Sequence, residues 1–203
     1  MLLAIDTSAG SSVAVIDGDL VLAERFTEDT MRHAEVIGEM IEGVLDEAGI
    51  GPSRIAAVVC GLGPGPFTGL RVGIAAARTF AWGIAKPLVP VVSHDAVAFD
   101  EWSAGVRGPV LVVTDARRRE VYWSSYDLDD DGAMRSDGPA LCKPDELPYP
   151  DFERIDATQV SAGALGRVGR RHLDRGGAPE FTEPLYLRSP DVTVPGARKR
   201  VTR

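Results

Sequence analysis

The sequence predicts an α/β protein built from two duplicated lobes. Short β-type runs open the chain and helical periodicity follows them, and the same order of strands and then helices starts again near Gly108. The duplication is inferred from element order, since the sequence shows no internal repeat. We expect an N-terminal lobe over residues 1–102, a C-terminal lobe over 103–194 and a disordered basic tail over 195–203.

Composition places the chain among ordinary globular proteins. Its 203 residues are 44% hydrophobic and 26% charged, enough to bury a core without a cofactor or disulfide. The formal net charge of -8 disfavours nucleic-acid binding by the chain alone, because phosphate backbones are repelled on average. Two cysteines and no signal-peptide pattern favour a cytoplasmic location. No apolar run approaches the roughly 20 residues that span a bilayer.

The N-terminal lobe is expected to open with a meander. Three β-type runs cover 2–6, 12–16 and 20–26, and Asp17-Gly18-Asp19 is typical of a hairpin turn. A helix is expected over 32–48, where apolar residues recur at helical spacing up to Gly49. These residues occupy roughly half of the helical wheel, more than the ~100° stripe of a simple surface helix. The surplus could lie against a partner.

A glycine-rich turn joins the next strand to the next helix. The strand is expected over 55–60, the turn reads G-L-G-P-G-P-F-T-G-L-R-V-G over 61–73, and the helix runs over 67–85. Only two arginines and two threonines, Arg71, Arg78, Thr68 and Thr79, interrupt the apolar circumference of that helix. It must therefore be covered on most sides. A strand over 88–92 and a short helix over 93–102 follow.

The C-terminal lobe is expected to begin with a second hairpin. Strands are predicted over 110–114 and 120–128, with the polar turn Asp115-Ala116-Arg117-Arg118-Arg119 between them. A further strand-like run reaches Cys142, and a proline-rich connection leads to Pro150. The last helix is predicted over 160–173, before a short extended segment near 184–190.

Four motifs in this order carry a resemblance to a known family. They are Asp6-Thr7-Ser8 with Ser12-Val13-Ala14, the run G-P-G-P-F-T-G-L-R-V-G over 63–73, Asp115-Ala116-Arg117 with Glu120-Val121-Tyr122, and P-L-Y-L-R over 184–188. Together they resemble the TsaB family of bacterial tRNA threonylcarbamoyladenosine biosynthesis proteins. The resemblance implies an actin-like ATPase fold with two lobes of ribonuclease-H-like topology, which agrees with the element order.

The resemblance further implies a scaffolding role and no catalytic residue. In this family the subunit pairs with the TsaD transferase subunit and with the small ATPase TsaE, forms homodimers when alone, and meets tRNA only indirectly through the complex. We expect that no cofactor is required and that ATP or ADP with Mg²⁺ could bind only in the complex. The residues expected to face TsaD lie on the helices at 32–48 and 67–85. They are Ile37, Met40, Ile41, Val44, Leu70, Arg71, Ile74 and Arg78.

Two readings of the first turns stay open. Asp6, Thr7, Ser8, Gly63 and Gly65 could form a nucleotide or phosphate loop, because free N–H groups and the helix dipole converge at a helix N-terminus. However, the turn lacks the Lys-Ser/Thr of a P-loop, and Pro66 stands where the family usually has Ser and removes a donor. Tight turning and close packing are therefore favoured over phosphate binding.

Enzyme chemistry has little support from the remaining residues. Catalytic relatives place two histidines one helical turn apart on the first helix, whereas here His33 is followed four residues later by Ile37, so no metal site is expected. No serine lies in a nucleophile motif such as G-x-S-x-G. Arg117, Arg118 and Arg119 could contact tRNA or a partner, or could simply be solvated. A self-sufficient actin-like ATPase or a metallopeptidase is the alternative function.

Overall fold

A computed structural model describes residues 1–27, 33–176 and 180–188. The first sheet has five strands: β1 (Leu2–Asp6), β2 (Ser11–Asp17), β3 (Leu20–Thr27), β4 (Ala57–Gly61) and β5 (Leu88–Val91). Their order is β3-β2-β1-β4-β5; the β1–β2 and β2–β3 pairs are antiparallel and the β1–β4 and β4–β5 pairs are parallel. The carboxyl ends of β1 and β4 therefore meet at one edge of the sheet.

The second sheet repeats the first with one strand fewer. It contains β6 (Gly108–Asp115), β7 (Val121–Leu128), β8 (Ala133–Cys142) and β9 (Glu153–Asp156), in the order β8-β7-β6-β9. The β6–β7 and β7–β8 pairs are antiparallel and the β6–β9 pair is parallel, which reproduces the arrangement of β1 to β4. The two-lobed ribonuclease-H-like topology is therefore confirmed.

In the part of the chain that the structure describes, four helices pack on these sheets: α1 (His33–Glu47), α2 (Phe67–Gly83), α3 (Ser93–Ser103) and α4 (Ala162–Arg175). α1 and α2 cover one face of the first sheet, where Leu3, Ile5 and Val58 are buried. α3 and α4 contribute to a second core that includes the opposite face of that sheet and one face of the second sheet. The remaining face of the second sheet carries a small cluster around Leu111, Val113 and Trp123.

The predicted elements are present with small shifts at their ends, and one strand was missed. β9 has the sequence Glu-Arg-Ile-Asp and is largely exposed, so it lacks the apolar run that would predict a strand. α4, predicted as part of the C-terminal lobe, packs against strands of the first sheet. The basic tail at 195–203 lies outside the described residues.

Within residues 1–27, 33–176 and 180–188, no helix has both the length and the apolar character needed to cross a membrane.

Candidate functional site

Asp6 organises the turn that follows β1. Its Oδ1 accepts hydrogen bonds from the Ser8 amide at 2.8 Å and the Ser8 hydroxyl at 2.6 Å, and its Oδ2 accepts one from the Ser93 hydroxyl at 2.5 Å. Ser93 Oγ in turn accepts from the Gly63 amide at 3.0 Å. Asp6 and Ser93 are both buried. The carboxylate thus ties the β1 turn to the glycine-rich turn and to the start of α3.

The glycine-rich turn packs directly on the β1 turn. A Cβ on Gly65 would lie 2.7 Å from the Ser8 Cα, and a Cβ on Gly73 would collide with the Thr7 hydroxyl. Thr7 Oγ1 itself donates to the Gly69 carbonyl at 2.8 Å. The contacts favour the close-packing interpretation of the motif.

The same burial governs the thiol at the end of β4. Cys60 is fully buried beside this turn, and burial, with a smaller contribution from the Asp6 charge, raises its pKa to about 12. A thiol with such a pKa is neutral at physiological pH and is a poor nucleophile.

A cleft of about 480 Å³ lies between the two sheets, next to these turns. Ser8 and Pro66 line it from the first lobe, and Asp115, Arg117 and Asp156 line it from the second. Both carboxylates already have partners, because Arg117 lies 3.7 Å from Asp115 and Arg154 lies 2.6 Å from Asp156. The charged residues that line the cleft are Asp115, Arg117 and Asp156, so its lining carries no excess of positive charge.

The amide donors around the cleft are also engaged within the chain. The Arg117 amide donates to Asp115 Oδ1 at 2.8 Å, and the Ala116 amide donates to the Glu120 carbonyl at 3.0 Å. The Ser8 and Gly63 amides likewise donate to Asp6 and Ser93. All four amides therefore have acceptors within the chain.

The eight residues predicted to face TsaD divide into two groups. Five are buried in the chain's own core against the first sheet, and the prediction that they face outward is corrected accordingly: Ile37, Met40, Val44, Leu70 and Ile74. Ile41 is partly buried on the same core. Arg71 and Arg78 are exposed. Helical periodicity identified the apolar arc correctly, but the first sheet covers most of that arc.

The exposed faces of the two helices carry a different set of residues. On α1 they are mainly acidic or small and include Gly38, Glu39, Glu42 and Asp46. On α2 they include Arg71, Ala75, Arg78 and Trp82. Trp82 is 85% exposed, which is unusual for the residue type. We call these exposed residues of α1 and α2 the outer helix surface.

The histidines do not form a metal site in the described part of the chain. Nothing is described for the His33 side chain, and Ile37, one turn further, points into the core. His94 is fully buried and its ring nitrogens lie 2.8 Å from Ser124 Oγ and 2.9 Å from Thr114 Oγ1. Burial, with help from Arg135, lowers the pKa of His94 to about 3, so the ring is neutral. Among the described residues, no cluster of three His, Cys, Asp or Glu side chains could hold a metal ion.

The P-L-Y-L-R motif crosses from one lobe to the other. The Leu185 amide donates to the Leu62 carbonyl at 2.9 Å, and the Tyr186 ring packs on Phe67 with centroids 4.7 Å apart. Arg188 forms an ion pair with Glu120 and donates to the Ala116 carbonyl at 3.0 Å. The sequence of the motif could not predict this bridging role, because its partners are distant in the chain.

Comparisons with known proteins agree with this geometry. A family model described as "TsaD: tRNA N6-adenosine threonylcarbamoyltransferase" matches residues 21–168. The chain is 30% identical to the Escherichia coli tRNA threonylcarbamoyladenosine biosynthesis protein TsaB over 163 residues, which cover 80% of this chain and 70% of that protein. It is 39% identical over 204 residues to an uncharacterised Mycobacterium tuberculosis protein, covering 94% and 92% of the two chains.

Solved structures point in the same direction. YeaZ from Pseudomonas aeruginosa superimposes with a TM-score of 0.75 at 25% identity, over 86% of this chain and 92% of that chain. A Pseudomonas aeruginosa protein described as similar to the peptidase YEAZ gives a TM-score of 0.80 at 26% identity, over 92% and 99%. The fold and the cleft therefore define a two-lobed protein of the actin-like ATPase class. Within that class, the chain belongs to the TsaB family.

Proposed function

We propose that this chain is a non-catalytic subunit of the complex that makes threonylcarbamoyladenosine on tRNA, and that it binds and activates the TsaD transferase subunit. Membership of the TsaB family supports a role in tRNA threonylcarbamoyladenosine biosynthesis, because the relatives are named for that process. TsaE as a further partner, a homodimer of the free chain and nucleotide bound only in the complex belong to the same proposal.

The outer helix surface is the proposed contact with TsaD, and Trp82 is the observation that carries it. A tryptophan that is 85% exposed leaves a large apolar area in water, and tryptophan and arginine are the residue types that dominate binding energy in interfaces. Arg78 lies one helical turn before Trp82, and both are exposed. The acidic α1 face and the basic α2 face offer charges of both signs, which would fix the orientation of a partner helix pair.

The packed turns support a non-catalytic role. An ATPase of this fold needs open loops that aim N–H donors at phosphate groups. In this chain the Ser8 and Gly63 amides bond to Asp6 and Ser93, and the two turns fill each other's space.

Substitution of Arg78→Glu together with Trp82→Ala tests the proposal. We expect the affinity for TsaD, measured by calorimetry, to fall at least about 30-fold, because the loss of even one hot-spot residue costs about 2 kcal/mol or more. The urea midpoint of the free chain should stay unchanged, since both side chains are exposed. Met134→Ala is the matched control, because Met134 is 57% exposed on the second sheet.

Two results would contradict the proposal. Unchanged TsaD affinity in the double variant would remove the outer helix surface as the contact. Tight ATP binding with steady turnover by the purified chain and Mg²⁺ would instead favour a self-sufficient ATPase.

A further inference from the structure

A groove separate from the cleft between the two sheets lies where the edge strand β5 meets the C-terminal end of α4. One part of it is a pocket of about 340 Å³, which continues beside β8 into a cavity of about 440 Å³ that is also lined by Asp95 and Arg135. Both volumes lie in the range of about 300–1,000 Å³ that is typical of small-molecule sites. None of the described residues that line the cleft between the sheets lines this groove. We call its two parts together the β5 groove.

One end of the β5 groove is apolar. Its walls combine β5 with side chains from α4 and from the segment after α4. They include Leu88, Pro90, Val92, Leu173 and Phe181. Leu173 is 43% exposed, so part of this apolar wall faces water in the free chain. Contact with an apolar molecule would remove that area from water.

The charged side chains along the groove balance one another. Three carboxylates and three guanidinium groups line it: Asp95, Asp137, Glu180, Arg135, Arg171 and Arg175. Arg135 joins two of the carboxylates, because it donates to Asp95 Oδ1 at 3.0 Å and forms an ion pair with Glu180. Desolvation lowers the pKa of His172, which lines both parts, so its ring is neutral at pH 7. A ligand with a net charge would therefore lose hydration without meeting an excess of the opposite charge.

Asp95, near the start of α3, provides an accessible acceptor in this groove. Its Oδ1 accepts hydrogen bonds from the Tyr126 hydroxyl at 2.7 Å and from Arg135 Nε at 3.0 Å. No described group donates to Oδ2, and every fully buried side-chain nitrogen or oxygen in the described chain has a partner. Oδ2 is therefore accessible from the groove that Asp95 lines. The two bonds to Oδ1 fix the carboxylate, so Oδ2 is a preorganised acceptor.

The backbone of β5 adds an acceptor next to the apolar wall. β5 is the outermost described strand of the first sheet on this side. The Leu62 amide donates to the Val91 carbonyl, and carbonyls alternate in direction along a strand, so the Pro90 carbonyl faces away from β4. Pro90 has no N–H, so a further strand could not pair regularly with this edge. The edge therefore suits a small ligand better than an added strand.

We propose that the β5 groove binds a small molecule that has no net charge, an apolar body and a hydrogen-bond donor. The donor bonds to Asp95 Oδ2, and the body lies against Leu88, Leu173 and Phe181. The bond to the carboxylate orients the ligand, while the apolar contact provides most of the affinity. This inference goes beyond the proposed function and does not depend on it, because the groove shares no residue with the outer helix surface.

Indole is the probe for this site, because it is uncharged, apolar and has one N–H donor. Titrated at pH 7 into the nitrogen-15-labelled chain, it should bind with a Kd on the order of 1 mM, since so small a ligand buries few atoms. The amide signals that shift should belong to β5 and to the end of α4. N-Methylindole, which lacks the donor, should bind at least about 5-fold more weakly. Indoleacetate and tryptamine, which add a negative and a positive charge, should also each lose at least about 5-fold.

Two variants test the two contacts. Asp95→Asn keeps an oxygen for Tyr126 and Arg135 but places an amide donor at the accessible position, so indole should bind about 10-fold more weakly. Leu173→Ser removes part of the apolar wall at an exposed position and should weaken indole binding about 5-fold with an unchanged urea midpoint. Leu20→Ser is the matched control, because Leu20 is 64% exposed on β3 and does not line the groove. It should leave the affinity for indole unchanged.

Three results would overturn this inference. Shifted signals confined to other parts of the chain would place the binding elsewhere. A charged analogue or N-methylindole that binds as tightly as indole would contradict the ligand class. An equal loss in Leu173→Ser and Leu20→Ser would remove the apolar wall as the contact. If Asp95→Asn failed to fold, N-methylindole and Leu173→Ser would still decide, and no part of the test involves TsaD, so the proposed function is tested separately.

Discussion

The two lobes share a strand order but differ in what covers their outer faces. The outer face of the first sheet is covered by α1 and α2, whose inner residues form a continuous core with Leu3, Ile5 and Val58. The outer face of the second sheet is covered by short irregular chain, with Leu147, Tyr149 and Phe152 packed on Trp123. In the chain from β8 to β9, all of it described, a single 3-10 turn at Pro144–Glu146 stands where α1 stands in the first lobe.

This difference gives the first lobe a helical surface that the second lobe lacks. The helical layer of the first lobe presents a broad face with an exposed tryptophan, which suits a protein partner. The second lobe instead ends its first hairpin in a turn that carries the exposed residues Arg117, Arg118 and Arg119.

The largest expected effect is a difference in unfolding free energy between variants of the two layers that cover the outer faces of the sheets. Leu70→Ala should lower the free energy of unfolding by about 3–5 kcal/mol, because Leu70 is fully buried between α2 and the first sheet and its loss leaves a cavity. Leu147→Ala should cost about 1 kcal/mol, since Leu147 is only partly buried on the second sheet. Urea unfolding of both variants measures the difference, and equal losses would contradict the contrast between the layers.

The joint between the lobes should respond to acid. His94 belongs to α3 and bonds to Thr114 and Ser124 of the second sheet. Its pKa of about 3 in the folded state lies below the ordinary value of 6.5, so the unfolded chain binds the proton first as the pH falls. The contribution of the neutral ring to stability is therefore complete above pH 6.5 and is lost progressively down to pH 3.

At pH 4 the free energy of unfolding should be about 3 kcal/mol lower than at pH 7. The reason is that one proton bound only by the unfolded chain costs about 1.4 kcal/mol for each pH unit between 6.5 and 4. His94→Gln removes the titrating group while keeping one donor and one acceptor. We expect its unfolding free energy to fall less steeply over this pH range than that of the wild type. Chemical unfolding at pH 4, 5, 6 and 7 makes the comparison, and identical slopes would remove His94 as the source.

Two glycines of the first lobe, Gly73 and Gly38, allow a packed position to be compared with an exposed one. Gly73→Ala should destabilise the chain by about 1–3 kcal/mol, because the new Cβ collides with Thr7 and forces a shift. Gly38→Ala should stabilise it by about 0.5–1 kcal/mol, since Gly38 is helical, exposed and has open space around its Cβ position. Melting temperatures that move in the same direction for both variants would contradict the packed-turn geometry.

The smallest expected effect is a difference in thiol reactivity. Cys60, whose pKa burial raises to about 12, should not react with a disulfide reagent in the folded chain. Cys142 in the second lobe is only partly buried, although burial also raises its pKa, and should react slowly. At pH 8, the absorbance of the group that the reagent releases should correspond to one reacted thiol per chain before unfolding and two after it. Two reactive thiols in the folded chain would mean that the first core is less closed than described.

Much of the fold could be predicted because most elements carry a local pattern of apolar residues. The spacing of glycines predicted the turn over 61–73, and the alternation of apolar and polar residues predicted the strand that ends at Leu128. β9 was missed because it owes its pairing to β6, not to its own polar sequence. The carboxylate of Asp6 was recognised as a turn residue, but its bond to Ser93, 87 residues away, could not be predicted from spacing.

The sequence by itself determined the two-lobed plan, the breadth of the apolar arcs on α1 and α2, and the family. Only the tertiary structure decided which side of those arcs is exposed, because a helical wheel carries no information about where the sheet lies. Val44 and Ile74 are buried by the first sheet, whereas Trp82 is left in water. The tertiary structure also packs the glycine-rich turn against Ser8. The local sequence could not predict this contact, because a phosphate loop and a packed turn can share one sequence.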